Sequence, residues 1–211
     1  RWLLPFDCTG WDAQAAAMLL AVCAGGGCRG LAAARLPGAR LRRQGRPLAR
    51  RNARERRGLW QAPPIYEKEL EVAIKAVAEA SQVSRHVART LSESMEEGKL
   101  DKWDTSPVTI ADFGVQAVVL KHLSESFIDD QICAEESADG LRQAPAVLDL
   151  VVDGVRAAEP AADAEQVCAW IDRGLLRDTS QEHRFWALDP VDGTKGFLRR
   201  QQYALCLALI V

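Results

Sequence analysis

The chain has 211 residues, of which 48% are hydrophobic and 27% charged, a composition typical of a globular protein rather than of a disordered or fibrous one. The longest uncharged apolar run is too short and too rich in Ala and Gly to span a bilayer, so we expect no transmembrane protein. The six cysteines form no Cys-x-x-Cys pair, which argues against a structural zinc site and favours reduced thiols over a disulfide framework.

The first 64 residues differ in composition from the rest of the chain. Residues 1–60 contain twelve Arg, no Lys and three acidic residues, a net charge of +9, whereas the remaining 15 basic and 26 acidic residues give −11. A basic, acid-poor start resembles a chloroplast or mitochondrial transit peptide, but this one lacks Ser. A disordered extension or an artefact of gene prediction, on a cytoplasmic protein, is the alternative. No aromatic residues alternate with the arginines clustered between Arg40 and Arg57, so we do not expect nucleic acid as a partner.

Two helices are predicted after this extension. Tyr66 to about Met95 reads as a long amphipathic helix that Gly98 ends, with an inward face at three- and four-residue spacing formed by Leu70, Ile74, Val77, Ser81, Ser84, Val87 and Leu91. Ser106-Pro107 predicts a turn, and the β-branched Val108–Ile110 predicts a short strand. A second helix is predicted from about Ala111 to Ser126, with Val115, Val118, Val119 and Leu123 facing inward.

Three strands are predicted in the second half. Gln131–Glu135 and Arg184–Leu188 are short strands, and Tyr203–Val211 is almost wholly apolar, as in a strand buried on both faces. Residues 138–183 are predicted to be irregular, apart from a helix near Ala164–Asp172. The sequence therefore predicts an α/β fold, a layered α+β sandwich in which two helices pack on a largely antiparallel sheet.

Acidic residues lie at the ends of three predicted elements. Asp112 lies at the start of the second helix, Glu135 follows the first strand in Glu135-Glu136-Ser137, and Asp189 and Asp192 follow the next strand. Ends of this kind are where α/β layers build sites. Taken singly, Asp112 or Glu135 is more often a helix cap or a solvated turn residue.

The stretch Asp189-Pro190-Val191-Asp192-Gly193-Thr194 is more specific than the other two clusters. Converging carboxylates repel one another unless a cation lies between them, and Mg²⁺ is the usual cation for all-oxygen ligands. Pro190 and Gly193 force a bend that can turn the Val191 carbonyl toward the same point. Such a centre suits phosphate-ester hydrolysis, with Thr194 close to the attacking water or the phosphate. Lys195 either meets the substrate phosphate as a point charge or is a solvated lysine.

Residues 66–211 resemble the lithium-sensitive, Mg²⁺-dependent phosphatase superfamily that includes inositol monophosphatase. The Asp-Pro-Val-Asp-Gly-Thr stretch matches its signature. The longer match resembles the 3′(2′),5′-bisphosphate nucleotidases, and it is carried by 104–112, by 135–137 and by 185–209. The resemblance implies an inositol monophosphatase-like sugar-phosphatase fold, of which residues 65–211 are the N-terminal phosphatase domain and a C-terminal domain with a Trp-Asp motif is absent.

The same resemblance implies a role for each matching residue. Glu135 and Asp189 are implied to be metal ligands, and Asp192 and the Val191 carbonyl complete this half of a site for two to three Mg²⁺ ions. Asp112 and Thr194 are implied to orient and deprotonate the nucleophilic water.

The implied reaction belongs to sulfur metabolism. It is hydrolysis of adenosine 3′,5′-bisphosphate to AMP and phosphate, with the sulfated nucleotide PAPS as a further substrate and Li⁺ as an inhibitor. The alternatives are an inositol phosphate phosphatase and a truncated, non-catalytic metal-binding fragment.

Two residues depart from the family pattern. Ala134 stands where Gly usually precedes Glu-Glu-Ser, a mild change if the backbone there has negative φ. Arg200 stands where Gly is usual, and it strains the turn if that position needs a positive φ.

Overall fold

The computed structural model describes residues 17–24, 30–36, 66–96, 107–179, 182 and 184–211. Within these residues the sheet has five strands in the order β2-β1-β5-β4-β3, with the bounds β1 Ala17–Ala24, β2 Gly30–Leu36, β3 Gln131–Ala134, β4 Phe185–Asp192 and β5 Tyr203–Ile210. The helices are α1 Glu67–Glu96, α2 Pro107–Ser126, α3 Asp139–Arg142, α4 Pro145–Val155, α5 Ala164–Asp172 and α6 Thr194–Leu198. None of these helices combines the length and apolar content needed to cross a bilayer.

The sheet is largely antiparallel, as predicted. β3 runs parallel to β4, and the other neighbouring strands are antiparallel. β5 is the apolar strand expected at Tyr203–Val211, and nearly all of its side chains are buried. β3 and β4 begin within a residue of their predicted starts, but β4 continues through Asp192 instead of ending at Leu188.

Two strands lie in the segment whose composition predicted an extension outside the fold. β1 pairs with β5, from Ala17 opposite Ile210 to Ala24 opposite Tyr203, and β2 pairs with the other edge of β1. This differs from the expectation of a disordered extension, because the apolar run 18–22 has the composition of a paired strand. The other residues of 1–64 lie outside the described part of the chain, so their transit-like character stays a prediction.

The long helix α1 confirms the predicted helix Tyr66–Met95. Its inward face is correct in the second half, where Val77, Ser81, Ser84 and Val87 are buried. In the first half Ile74 is 36% exposed, because small residues make the contact there instead, namely Ala73, Ala76 and Ala80. Alanines let the backbones of α1 and α2 approach closely. The predicted stop at Gly98 and the side chain of Leu91 lie outside the described residues.

The second helix starts earlier than predicted. α2 begins at Pro107, so Val108–Ile110 are helical and the predicted short strand is wrong. Proline suits the first helical position, where its missing N–H would have no partner and its fixed φ is already helical. The predicted inward face is confirmed, since Val115, Val118, Val119 and Leu123 are all fully buried.

Residues 138–183 are more regular than predicted. The helix Ala164–Asp172 is confirmed, and Asp163 with Gln166 forms a capping box at its start. The expectation of irregular chain before it is wrong, because α3 and α4 lie there. α4 begins with Pro145 and buries Val151, Val152 and Val155 against the core.

A polar cluster around Asp130, here called the Asp130 hub, fixes the entry into β4. The Asp130 carboxylate accepts from the Arg184 guanidinium at 2.9–3.0 Å and from the Trp186 indole N–H at 2.9 Å. Nη1 of Arg184 also donates to Glu69 Oε1 at 2.9 Å. The hub connects the start of α1, the loop before β3 and the start of β4. It therefore fixes the first residues of the strand whose other end carries Asp189 and Asp192.

Candidate functional site

Five carboxylates from three parts of the chain converge at one end of the sheet. Asp112 lies in the second turn of α2, Glu135 and Glu136 follow β3, and Asp189 and Asp192 lie on β4. The charges of Glu136, Glu135 and Asp189 all act on Asp112, and those of Asp192 and Glu135 act on Asp189. The convergence expected from the three acidic clusters is therefore present in the structure.

A β-bulge places Asp189 and Asp192 on the same side of β4. Side chains three residues apart in a regular strand point to opposite faces. The pairing with β5 shifts between these residues, since Asp189 lies opposite Cys206 whereas Asp192 lies opposite Ala204. Those partners are two residues apart and share a face, so the extra residue in β4 brings both carboxylates together. Pro190 has no N–H to contribute to the ladder there.

Burial and the repulsion of neighbouring carboxylates make three of the five, Asp112, Asp189 and Glu136, hard to ionise. Burial, followed by the charges of Glu136, Glu135 and Asp189, raises the pKa of Asp112 from 3.8 to about 8. Burial, followed by Asp192 and Glu135, raises the pKa of Asp189 from 3.8 to about 6, although the Val191 N–H donates to this carboxylate and opposes the shift. Burial and the charge of Glu135 also raise the pKa of Glu136.

The cluster has the donor chemistry of a divalent cation site. Every described residue whose charge shifts these three pKa values is itself negative. Glu135 is exposed and Asp192 half-buried, so both can meet a ligand from solvent. Hard oxygen donors with converging negative charge fit Mg²⁺.

The turn after β4 depends on two glycines. Gly193 has a φ of 92°, and it precedes Thr194 and Lys195, which are both exposed at the start of α6. A Cβ on Gly196 would lie 2.0 Å from the carbonyl oxygen of Gln202, so α6 can pack on this loop only with glycine there. Thr194 begins α6, two residues beyond Asp192. Its predicted role toward a water or a phosphate stays a prediction.

The two departures from the family pattern have different outcomes. Among the described non-glycine residues only Arg200 has a positive φ, of 56°, so Ala134 is tolerated as expected. Arg200 occupies a left-handed backbone conformation that glycine adopts at lower cost, as predicted for this position.

Glu136 and Gln116 are site residues that the sequence pattern did not reveal. The sequence pattern predicts no role for Glu136 within Glu135-Glu136-Ser137, and yet among the neighbouring charges that of Glu136 raises the pKa of Asp112 most. Gln116 is fully buried on α2 and exchanges two hydrogen bonds with the Glu136 backbone. The available signal was one polar residue in an otherwise apolar helix face, one turn after Asp112.

A second group of metal-ligand residue types lies elsewhere. Glu79, His122 and Glu159 bring their donor atoms within 4.8 Å of one another. His122 lies ten residues beyond Asp112 on α2, about 15 Å along the helix. Nε2 of His122 lies 2.7 Å from Glu79, and Lys121 Nζ lies 2.9 Å from Glu159. This group is a polar network that joins α1, α2 and the turn after α4, separate from the carboxylate cluster.

Comparison with known proteins agrees with the motifs and the fold. Residues 65–211 match the inositol monophosphatase family. The chain belongs to this family. The match covers the helices α1 to α6 and the strands β3 to β5, including all five carboxylates.

Curated relatives of the chain carry one kind of name. The 3′(2′),5′-bisphosphate nucleotidase of Schizosaccharomyces pombe is 41% identical over 156 residues, which are 69% of this chain and 44% of that protein. The 3′(2′),5′-bisphosphate nucleotidase 1 of Candida albicans is 38% identical, covering 69% and 43%. A putative mitochondrial 3′(2′),5′-bisphosphate nucleotidase of Arabidopsis thaliana is 40% identical, covering 69% and 38%. The chain thus spans less than half the length of these relatives.

Proposed function

We propose that the protein is a Mg²⁺-dependent 3′(2′),5′-bisphosphate nucleotidase that converts adenosine 3′,5′-bisphosphate to AMP and phosphate. The observation that carries this proposal is the convergence of five carboxylates, in which the charges that shift the pKa values of Asp112, Glu136 and Asp189 are all negative among the described residues. The names of the curated relatives support the choice of substrate.

In this proposal Glu135, Asp189, Asp192 and the Val191 carbonyl hold two to three Mg²⁺ ions. When bound, the ions neutralise phosphate charge and acidify water. Asp189 is buried and receives the Val191 N–H, which keeps its carboxylate oriented. The β-bulge sets Asp192 beside it.

Asp112 and Thr194 act on the nucleophilic water. Without metal, burial and the neighbouring carboxylates raise the pKa of Asp112 to about 8, so it acts as a base only once a nearby positive charge has ionised it. Bound Mg²⁺ would supply that charge, and the ionised Asp112 then takes the water proton at a carboxylate oxygen. Thr194 orients the same water through its hydroxyl. A bond forms between the water oxygen and phosphorus while the bond from phosphorus to the ribose 3′ oxygen breaks. That oxygen takes a proton from a solvent water, and Asp112 returns its proton to solvent. Lys195 is exposed on α6 and meets a phosphate oxygen.

The test is phosphate release from adenosine 3′,5′-bisphosphate, with and without Mg²⁺ and Li⁺. Because the chain spans less than half the length of its relatives, we would assay it alone and joined to the part of the S. pombe protein that the match does not cover. We expect Mg²⁺-dependent, Li⁺-sensitive release, which Asp192→Asn abolishes. No release from the joined protein, or full activity in Asp192→Asn, would contradict the proposal.

An inositol phosphate phosphatase is the second candidate, because the matching family takes its name from that activity. Parallel assays with inositol monophosphate, inositol bisphosphate and PAPS would separate the two, and faster turnover of an inositol phosphate would favour the second candidate. If the joined protein binds Mg²⁺ but hydrolyses none of these substrates, a non-catalytic metal-binding role is favoured. The mitochondrial label of the Arabidopsis relative supports an organelle location, which fluorescent tagging would test against the cytoplasm.

A further inference from the structure

The acidic loop after β3 needs support, because its two neighbouring glutamates repel each other and Asp112. Residues 134–138, here called the acidic loop, contain no helix or strand beyond Ala134. Glu135 is exposed and lies one residue beyond the end of β3. The direction of its carboxylate therefore depends on how the residues on either side are held.

Gln116 holds the residue that follows Glu135. Its Oε1 accepts from the Glu136 backbone N–H at 3.0 Å, and its Nε2 donates to the Glu136 carbonyl at 2.8 Å. The side-chain amide thus pairs with both backbone groups of Glu136, as a neighbouring strand would. The N–H that it binds belongs to the peptide joining Glu135 to Glu136, so Gln116 fixes the plane from which Glu135 projects.

The same side chain ties the loop to α5. Nε2 of Gln116 also donates to the Ile171 carbonyl at 3.2 Å, at the end of that helix. Nearby, Gly174 accepts the Ala134 N–H at 3.1 Å, and Asp172 Oδ1 accepts the Ala138 N–H at 3.1 Å. The loop is therefore held at both ends by the end of α5 and in the middle by α2.

The location of Gln116 points to the site rather than to the core. It is fully buried on a helix whose neighbouring positions 113–120 are otherwise apolar or glycine. An apolar residue of the same size would fill this space without the cost of burying an amide. Gln116 follows Asp112 by one helical turn, on the same side of α2, so a single helix face carries Asp112 and fixes the backbone of Glu136 beside it.

We infer that Gln116 is a positioning residue that aims the Glu135–Glu136 carboxylates at the Mg²⁺ centre. This inference rests on the proposed function. Gln116 touches neither substrate nor metal and acts through the acidic loop. Residues of this kind typically change metal affinity by about 10- to 100-fold when they are replaced.

The test compares Gln116→Met with Ser84→Ala in the 211-residue chain. Methionine keeps the size and helix propensity of glutamine but makes none of the three hydrogen bonds. Ser84 is an equally buried polar residue of the helical layer, bonded to Tyr203 and Ser81 and to no residue of the acidic loop. Mg²⁺ affinity is measured by calorimetry, and hydrogen exchange is measured at the Glu136 amide without metal. If Gln116→Met does not fold, Gln116→Asn, whose amide is one methylene too short to reach, replaces it.

We expect Gln116→Met to raise the Mg²⁺ dissociation constant about tenfold or more and to accelerate Glu136 exchange, whereas Ser84→Ala changes only overall stability. If the two variants change Mg²⁺ binding equally, the positioning role is wrong, but the proposed metal centre is not contradicted. Absence of Mg²⁺ binding by the unmodified chain would overturn the metal centre, and the positioning role with it.

Discussion

Replacing Asp112 by Asn should stabilise the metal-free protein in a strongly pH-dependent way. The folded state raises the pKa of this carboxyl from 3.8 to about 8, so between these values it retains a proton that the unfolded chain has lost. Stability must then fall as pH rises through this window, because the unfolded state binds fewer protons than the folded state. Asparagine carries no charge, so the variant lacks this pH dependence.

The expected effect is large. One pH unit of displacement corresponds to about 1.4 kcal/mol, so the shift of Asp112 costs the folded state roughly 5 kcal/mol at pH 8 but only about 2 kcal/mol at pH 5. The stability gained by Asp112→Asn should therefore be on the order of 3 kcal/mol larger at the higher pH. This is a substantial part of the ~5–15 kcal/mol that stabilises a typical domain.

The assay is denaturant unfolding with a chelator at both pH values, followed by the fluorescence of tryptophans that include the fully buried Trp186. Asp149→Asn on the exposed side of α4 is the matched control, and it should change the free energy of unfolding little at either pH. Adding Mg²⁺ at the higher pH should stabilise the unmodified chain more than Asp112→Asn. Equal gains of Asp112→Asn at the two pH values would refute the reasoning, as would a metal-free chain that becomes more stable toward pH 8.

Three further changes test the framework around the site by urea denaturation or melting. Asp130→Ala leaves the Trp186 indole without this acceptor and the Arg184 guanidinium with Glu69 alone, and it should cost about 2–3 kcal/mol. Asp129→Ala at the exposed neighbouring position should cost little, and equal losses would argue against the hub. Arg200→Gly should relieve about 1 kcal/mol of backbone strain and so raise the melting temperature. Arg199→Gly, at a position with a φ of −87°, should lower the melting temperature. Gly196→Ala forces a methyl group against a carbonyl oxygen at 2.0 Å and should cost several kcal/mol by displacing α6.

The control for Gly196→Ala is Gly140→Ala. A Cβ on Gly140 meets nothing within 4 Å, and alanine favours the helix α3. A Gly196→Ala protein as stable as the control would show that α6 does not pack against the loop before β5 as described.

Much of the fold could be predicted from periodicity. The 3.6-residue repeat gave α1 and the buried face of α2, and the apolar run gave β5. The predicted strand at Val108–Ile110 is wrong because β-branched residues favour strands only weakly and Pro107 begins a helix instead of lying in a turn. α4 was missed although Val147, Leu148, Val151, Val152 and Val155 have helical spacing.

The acidic residues of the candidate site could be predicted from the sequence, but the bulge and the hydrogen bonds that position them could not. Asp112, Glu135, Asp189 and Asp192 stand out because carboxylates follow apolar elements. The bulge that brings Asp189 and Asp192 to one face depends on pairing with β5, which spacing along β4 does not encode. Gln116 binds backbone groups of a residue twenty positions away. Every residue except proline has the same backbone groups, so the identity of the partner residue gives no sign of such a bond.

The most direct test of the metal centre is calorimetric titration of Mg²⁺ into the 211-residue chain near neutral pH. We expect saturable binding that releases protons, because Asp189, which holds the cation, and Asp112 beside it have raised pKa values and must ionise when the cation binds. Asp192→Asn should lose this binding. A chain that binds no Mg²⁺, or that binds it equally well after Asp192→Asn, would contradict the account.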